Sequence, residues 1–221
     1  HSADAVLGAM KASGWEEGVA VDALEQVMVA HVADAQAATR AVPEVGTDGV
    51  SRVWAHDKFV NVLVQIRHPR VVVFGDFLSL EECEQLKALA QPRMARSQTV
   101  VHATGGSEVN EVRTSQGMFF GRGENELCSR IEARIAALVH WPIENGEGIQ
   151  VLRYAPGAEY KPHFDYFDPA QPGTAPILTR GGQRVGTVVM YLNTPEAGGA
   201  TTFPHAGVDV HAVAGPAASF S

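Results

Sequence analysis

The sequence predicts an α+β fold, with helices first and an antiparallel β-sandwich or jelly roll after them, and three observations carry that expectation. Through residues 1–40 apolar side chains recur three and four positions apart, the spacing of a helix face. From Ile149 onward apolar runs are short, with Pro/Gly-rich turns between them. Most of the 22 glycines and 12 prolines fall late in the 221 residues, where turns are needed. Short strands with no helices between them argue for antiparallel pairing rather than a parallel sheet.

The elements follow in order. Ser2 can cap a first helix, with Val6, Leu7 and Met10 on one face and Gly14 at its end. A second helix is expected from Glu16 to Arg40, its stripe formed by Leu24, Val27, Met28 and His31, with His31 packed rather than ligating. Pro43, Gly46 and Gly49 mark a linker, so residues 1–50 read as a helical N-terminal extension and 51–221 as the main domain. Val60, Val62, Val64 and Ile66 alternate as a half-buried strand does, and Arg70 to Phe74 is a second β-branched run. Ser79-Leu80-Glu81-Glu82 is a capping box opening a helix to Ala90. Residues 102–116, with Gly105-Gly106 and little apolar pattern, read as one long mobile loop, equally suited to closing over a substrate or to being a surface loop without such a role. Leu127, Ile131, Ile135 and Leu138 stripe a helix from Glu124 to Val139. Strands are expected over Ile149–Tyr154, Tyr160–Phe167, Arg184–Leu192, Thr201–Phe203, Val208–Val213 and from Ala217 to the end.

Composition narrows the class. With 45% apolar and 19% charged residues the chain is of ordinary globular type. A net charge of −8 without a basic stripe argues against nucleic-acid binding; it suits a basic peptide partner or simply a solvated surface. Cys83 and Cys128 each sit inside a predicted helix and form no CxxC pair, which argues against a zinc site or a disulfide framework while leaving a single bridge open. No apolar run reaches the length of a membrane span, and no signal peptide is evident. The chain opens at His1-Ser2 without methionine, so its native N-terminus is read as missing, processed or replaced by a tag remnant. Alanine- and valine-rich composition without a cysteine framework leans towards a cytoplasmic protein of bacterial type.

His163-Phe164-Asp165 is the one His-x-Asp among nine histidines. On a strand, residues two apart share a face, so His163 and Asp165 would point inward side by side and Phe164 outward. An imidazole nitrogen and a carboxylate oxygen suit a ferrous ion, and a second histidine would complete a facial triad with three positions left open. Taken alone, the tripeptide is better explained by ordinary structural packing.

Its surroundings carry more. The segment from Val151 through Tyr154-Ala155-Pro156-Gly157 to Tyr160-Lys161-Pro162-His163-Phe164-Asp165-Tyr166-Phe167 resembles the metal-binding segment of the prolyl 4-hydroxylase family of iron(II)/2-oxoglutarate-dependent dioxygenases. So do Gly181-Gly182-Gln183-Arg184 with the following Val188–Leu192 run, and Gly198-Gly199-Ala200-Thr201-Thr202-Phe203-Pro204. Phe77-Leu78-Ser79 with Glu82-Cys83, and Arg113-Thr114-Ser115, match more weakly. The resemblance spans about residues 70–221 and implies a double-stranded β-helix, or jelly roll, with supporting helices. It implies His163 and Asp165 as iron ligands and catalytic residues, Tyr154 and Thr201 at 2-oxoglutarate, and Tyr160 and Arg184 near a peptide substrate. The residues themselves leave Arg184 equally open as a salt-bridge former, and bring Tyr160 to the site only if Pro162 bends the strand.

The family's second histidine ligand, and a lysine that follows it, are expected beyond Ser221, so the jelly-roll domain is read as truncated at its C-terminus; His205 and His211 are read as non-ligands. The implied cofactors are Fe(II), 2-oxoglutarate as cosubstrate and O2, with ascorbate admitted. The implied reaction hydroxylates C4 of a prolyl residue in a peptide or protein, with no nucleic-acid or membrane partner. A non-catalytic jelly-roll peptide-binding module, and a hydroxylase of a free amino acid or small molecule, are the competing expectations.

Overall fold

The computed structural model describes residues 3–24, 43–47, 49–97, 99–100, 107–108 and 113–221. Helix α1 spans Ala3–Ala12, and residues 17–24 are helical. The rest of the helix expected to Arg40, including His31, lies outside the described residues.

The main sheet has five antiparallel strands: β1 (Arg52–Ala55), β2 (Lys58–Ile66), β3 (Val71–Gly75), β9 (Thr187–Met190) and β12 (Ala217–Phe220), in the order β1-β2-β3-β12-β9. The last strand therefore lies inside the sheet. Ala217 pairs with Phe74 on one side and Met190 on the other, and Ala218 with Val73 and Val189. Ala217 and Ala218 are fully buried, and alanine there lets both faces of the sheet pack closely.

A second sheet has the order β4-β7-β8, from Ala95–Arg96, Gln116–Phe119 and Gln150–Arg153. Two short pairs complete the β-structure, β5 (Thr99–Val100) with β6 (Ser107–Glu108) and β10 (Thr201–Phe203) with β11 (Val208–Val210). The expected loop over 102–116 is thus interrupted by β6, and β7 begins at its end; residues 101–106 and 109–112 lie outside the described residues.

Helix α2 spans Leu80–Ala90 and carries the expected capping box. The Glu82 N–H donates to the Ser79 hydroxyl, and the Ser79 N–H donates to the Glu82 carboxylate. Helix α3 spans Glu126–Val139 behind an Asn125 cap, whose side chain accepts from the Cys128 N–H. Both helices lie on one face of the main sheet. Leu86, Ile131 and Leu138 meet Val60, Val72, Phe74 and Ala217 in the principal core. Cys83 and Cys128 are buried free thiols, so the bridge left open does not form.

Residues 43–47, read as linker, dock on this core. Val45 is buried, the Glu44 N–H donates to the Val139 carbonyl, and Arg70 donates to the Val45 carbonyl. On the other face of the sheet, Tyr191, Val210 and Ala218 form a smaller cluster with Val73, Val189 and Phe203. The β10–β11 pair covers that face.

Two strand expectations need correction. Helix α4 (Ala175–Gly181) stands between the later strands, where none was expected. The buried Thr174 precedes it, its single hydroxyl proton shared between the Asp168 and Gln171 carbonyls, each 2.7 Å away, and Pro176 fits the first turn, which needs no donor. The strand expected over Tyr160–Phe167 is also absent; the run keeps a single bridge, Arg113 to Tyr160. Pro162 inside the run and Pro169 just after it supply no N–H to a ladder, and Pro162 fixes its own backbone angle.

Candidate metal centre

Strand β8 delivers the chain to a turn at 155–158, closed by the Ala158 N–H on the Ala155 carbonyl, with Gly157 at φ 77°. The chain then passes Tyr160 and bends at Pro162. The two-residue strand periodicity that was to align His163 and Asp165 is therefore not what joins them. They meet nonetheless: His163 Nε2 lies 3.2 Å from Asp165 Oδ1. Phe164 points away and is 74% exposed, leaning on Tyr166.

The imidazole is held from three sides. Its Nδ1 lies 2.7 Å from the Lys161 carbonyl oxygen, an acceptor that calls for a proton on Nδ1. Nε2 is then the lone-pair nitrogen, and it faces a carboxylate oxygen. Two lone pairs at this separation need a proton or a cation between them. The Tyr160 ring stacks on the imidazole, with centroids 3.6 Å apart and planes at 21°. The bend at Pro162 thus brings Tyr160 to the site. Arg113, itself buried, lies over the Tyr160 ring, 4.8 Å from its centroid.

The carboxylate is anchored as firmly. Asp165 Oδ2 accepts from the Thr187 hydroxyl at 2.6 Å, so the oxygen turned to His163 is Oδ1. The hydrogen bond with Asp165 raises the His163 pKa, and the same contact lowers that of Asp165. Such a pair is the donor set a divalent iron accepts. Among the described residues no group of three His, Cys, Asp or Glu side chains converges to hold a metal, and His205 and His211 are exposed.

The other expected residues lie around this pair. Arg184 forms a two-pronged ion pair with Glu147, at 2.5 and 2.8 Å, and stacks over Phe167. Its Nη1 also reaches the Asp165 carbonyl at 3.5 Å. The salt-bridge reading left open by the sequence is therefore realised, beside the site. Tyr154 follows the end of β8 and is 43% exposed. Thr201 accepts a hydrogen bond from the Tyr191 hydroxyl at 2.8 Å. Thr187, Val189 and Tyr191 alternate on one face of β9 and its extension, so Asp165 and Thr201 are engaged from the same strand, about 13 Å apart along it.

Sequence reasoning missed Thr187, Gln183, Glu147 and Tyr191. Gln183 lay within a quoted motif, and its amide makes a two-point clasp on Phe167, accepting from the N–H at 2.8 Å and donating to the carbonyl at 2.7 Å. Glu147 had no local signal, since its partner is 37 residues away.

Comparison with known proteins fits this arrangement. Residues 149–220 match the 2OG-Fe(II) oxygenase superfamily. Prolyl 4-hydroxylase 5 of Arabidopsis thaliana is 47% identical over 146 residues, covering 66% of this chain and 48% of that protein. Prolyl 4-hydroxylase 1 of the same plant is 48% identical over 168 residues, covering 72% and 57% respectively. The chain thus spans about half the length of the curated relatives it matches. Among solved structures, the viral collagen prolyl hydroxylase of Paramecium Bursaria Chlorella virus-1, in its 2OG complex, aligns with a TM-score of 0.50 and 26% identity, over 68% of this chain and 76% of that one. By motif, by sequence identity and by structural alignment, this chain resembles the prolyl 4-hydroxylases of the 2OG-Fe(II) oxygenase superfamily.

Proposed function

We propose that this protein is an iron(II)- and 2-oxoglutarate-dependent dioxygenase that hydroxylates C4 of a prolyl residue in a peptide or protein, on a jelly-roll core that combines the early strands β2 and β3 with the later β9 and β12. One observation carries the reading: His163 Nε2 and Asp165 Oδ1 face each other at 3.2 Å with their other polar atoms already satisfied, in a segment that resembles the prolyl 4-hydroxylase metal site.

His163 and Asp165 would hold the iron, with a further histidine as the third ligand of a facial triad. Bound iron supplies oxidative chemistry in which 2-oxoglutarate and dioxygen become succinate and carbon dioxide while one oxygen atom enters a C–H bond. The chain's own part is binding and orientation. Lys161 fixes the imidazole tautomer and Thr187 the carboxylate rotamer. Tyr154 and Thr201 are assigned to 2-oxoglutarate. Tyr160, on its imidazole, and Arg184, braced by Glu147, are assigned to the edge where a peptide enters. Ascorbate would serve as an accessory reductant.

Succinate release from the full-length protein should require added iron and 2-oxoglutarate, and proline-containing peptides should gain one oxygen atom at proline by mass spectrometry. His163→Ala should abolish both signals. Turnover that survives this change refutes the metal assignment. Peptide binding without succinate release points instead to a binding module.

A further inference from the structure

The described part of the segment carrying His163 and Asp165 has no strand ladder of its own beyond the bridge at Tyr160, so something else must set the carboxylate's position. Three consecutive contacts from residues 183–187 do so. Gln183 clasps the Phe167 backbone at both its N–H and its carbonyl. Arg184 reaches the Asp165 carbonyl and covers the Phe167 ring. Thr187 donates its hydroxyl to Asp165 Oδ2 at 2.6 Å, the short distance of a bond to a charged acceptor.

The base of this third contact is rigid. Thr187 is the first residue of β9 and pairs with Phe220 of the buried strand β12. A β-branched side chain on a paired strand has little χ1 freedom.

We infer that Thr187 is a positioning residue that makes Asp165 a one-oxygen donor: its hydroxyl occupies Oδ2, and Oδ1 alone is presented beside His163 Nε2. The inference rests on the proposed iron site. Its consequence concerns coordination number. A carboxylate binding through both oxygens would take a position that the 2-oxo acid or dioxygen needs. A hydroxyl on Oδ2 takes one of that oxygen's two lone pairs and holds the carboxylate with Oδ1 forward, which disfavours the two-oxygen mode while leaving the charge in place. Thr187 therefore keeps the site open for chelation by 2-oxoglutarate, without touching metal or substrate itself.

The test compares Thr187→Val, which keeps the shape and removes the hydroxyl, with Thr187→Ser, which keeps the hydroxyl. Full-length protein is titrated anaerobically with iron(II), and then with 2-oxoglutarate, following the visible charge-transfer band of the 2-oxo acid chelate. Thr187→Val should lower iron(II) affinity by about 10–100-fold, as loss of an outer partner of a metal ligand does, and should weaken 2-oxoglutarate binding at saturating metal. Its metal-free form should still unfold cooperatively, at a somewhat lower temperature, because one charge-assisted hydrogen bond is lost. Thr187→Ser should restore the affinity. Should Thr187→Val fold poorly, Thr187→Ala serves as the second hydroxyl-free variant and must show the same loss. Equal 2-oxoglutarate affinity in wild type and in a folded hydroxyl-free variant overturns the inference alone. A wild-type protein that takes up no iron overturns the proposed function and the inference with it.

Discussion

The phenol ring of Tyr160 lies flat on the imidazole of His163, with centroids 3.6 Å apart, and this stack shields one face of the ring whose Nε2 confronts Asp165. Strand parity alone would have sent the two side chains to opposite faces. The bend at Pro162 removes that parity. Tyr160 is thereby part of the wall that fixes the imidazole plane, together with Arg113 behind it. Tyr160→Ala should release the imidazole and weaken metal uptake by about 2–10-fold, the equivalent of an aromatic pair contributing about 0.5–1.5 kcal/mol. Tyr160→Phe keeps the stack and should retain wild-type uptake. Titration with manganese(II), followed by electron paramagnetic resonance, reads both.

Arg134 of α3 is only 2% exposed, yet it carries a full charge into the core. Its guanidinium donates to Glu82 at 2.9 Å through both Nη atoms, to Asp57 at 2.8 and 2.6 Å, and to the Phe77 carbonyl at 2.7 Å. Asp57 comes from the β1–β2 turn and Glu82 from the capping box of α2, so one side chain ties three elements together. Arg134→Met would strand two carboxylates beside the core. It should lower stability by about 3–5 kcal/mol, the effect of breaking a buried pair from one side. Urea unfolding followed by circular dichroism measures it, and a loss under 1 kcal/mol would show the network to be dispensable.

The same network sets an acid limit. Burial pushes the Glu82 carboxyl up, but hydrogen bonds from Arg134, Ser79 and Arg130 outweigh it and hold the pKa at about 2, against an ordinary 4.5. A carboxyl depressed on folding stabilises the native state above its unfolded pKa and loses that contribution as pH falls through the folded one. Stability should therefore decline between pH 4.5 and about 2, by an amount on the order of 3 kcal/mol from this group. Glu82→Gln should flatten that part of the curve, as read from unfolding midpoints across the acid range.

Gly148 stands just before β8, where the chain crosses close behind Phe120. A Cβ at this position would run into the Phe120 carbonyl oxygen, a backbone atom unable to swing aside. Gly148→Ala should destabilise the fold by about 1–3 kcal/mol, as overpacking does. It should also disturb the bond from the Phe120 N–H to the Ile149 carbonyl that starts the β7–β8 pairing. Thermal unfolding tests the first effect, and amide hydrogen exchange at Phe120 the second.

Several elements were legible because their causes are local. The Ser79 capping box marks α2, and the stripe of Leu127, Ile131, Ile135 and Leu138 marks α3. The alternating run after Phe59 marks β2, and Thr201–Phe203 forms a strand with the expected bounds. The Tyr160–Phe167 run forms no strand because its prolines deny it a ladder, a local cause that the expected strand overlooked. At the site, His163 and Asp165 were recognisable by motif. Thr187 and Glu147 were not, since a hydroxyl or a carboxylate acquires its role only from a partner distant in sequence.

By itself, then, the sequence determined the helix caps, the apolar faces and the resemblance to prolyl 4-hydroxylases, because each is written in spacings of a few residues. Only the tertiary structure decided that β12 lies between β3 and β9, that Arg134 is buried with two acidic partners, and that Thr187 claims one oxygen of Asp165. These depend on long-range closure, where packing and hydrogen-bond satisfaction across the whole core select among arrangements that the local pattern leaves equal.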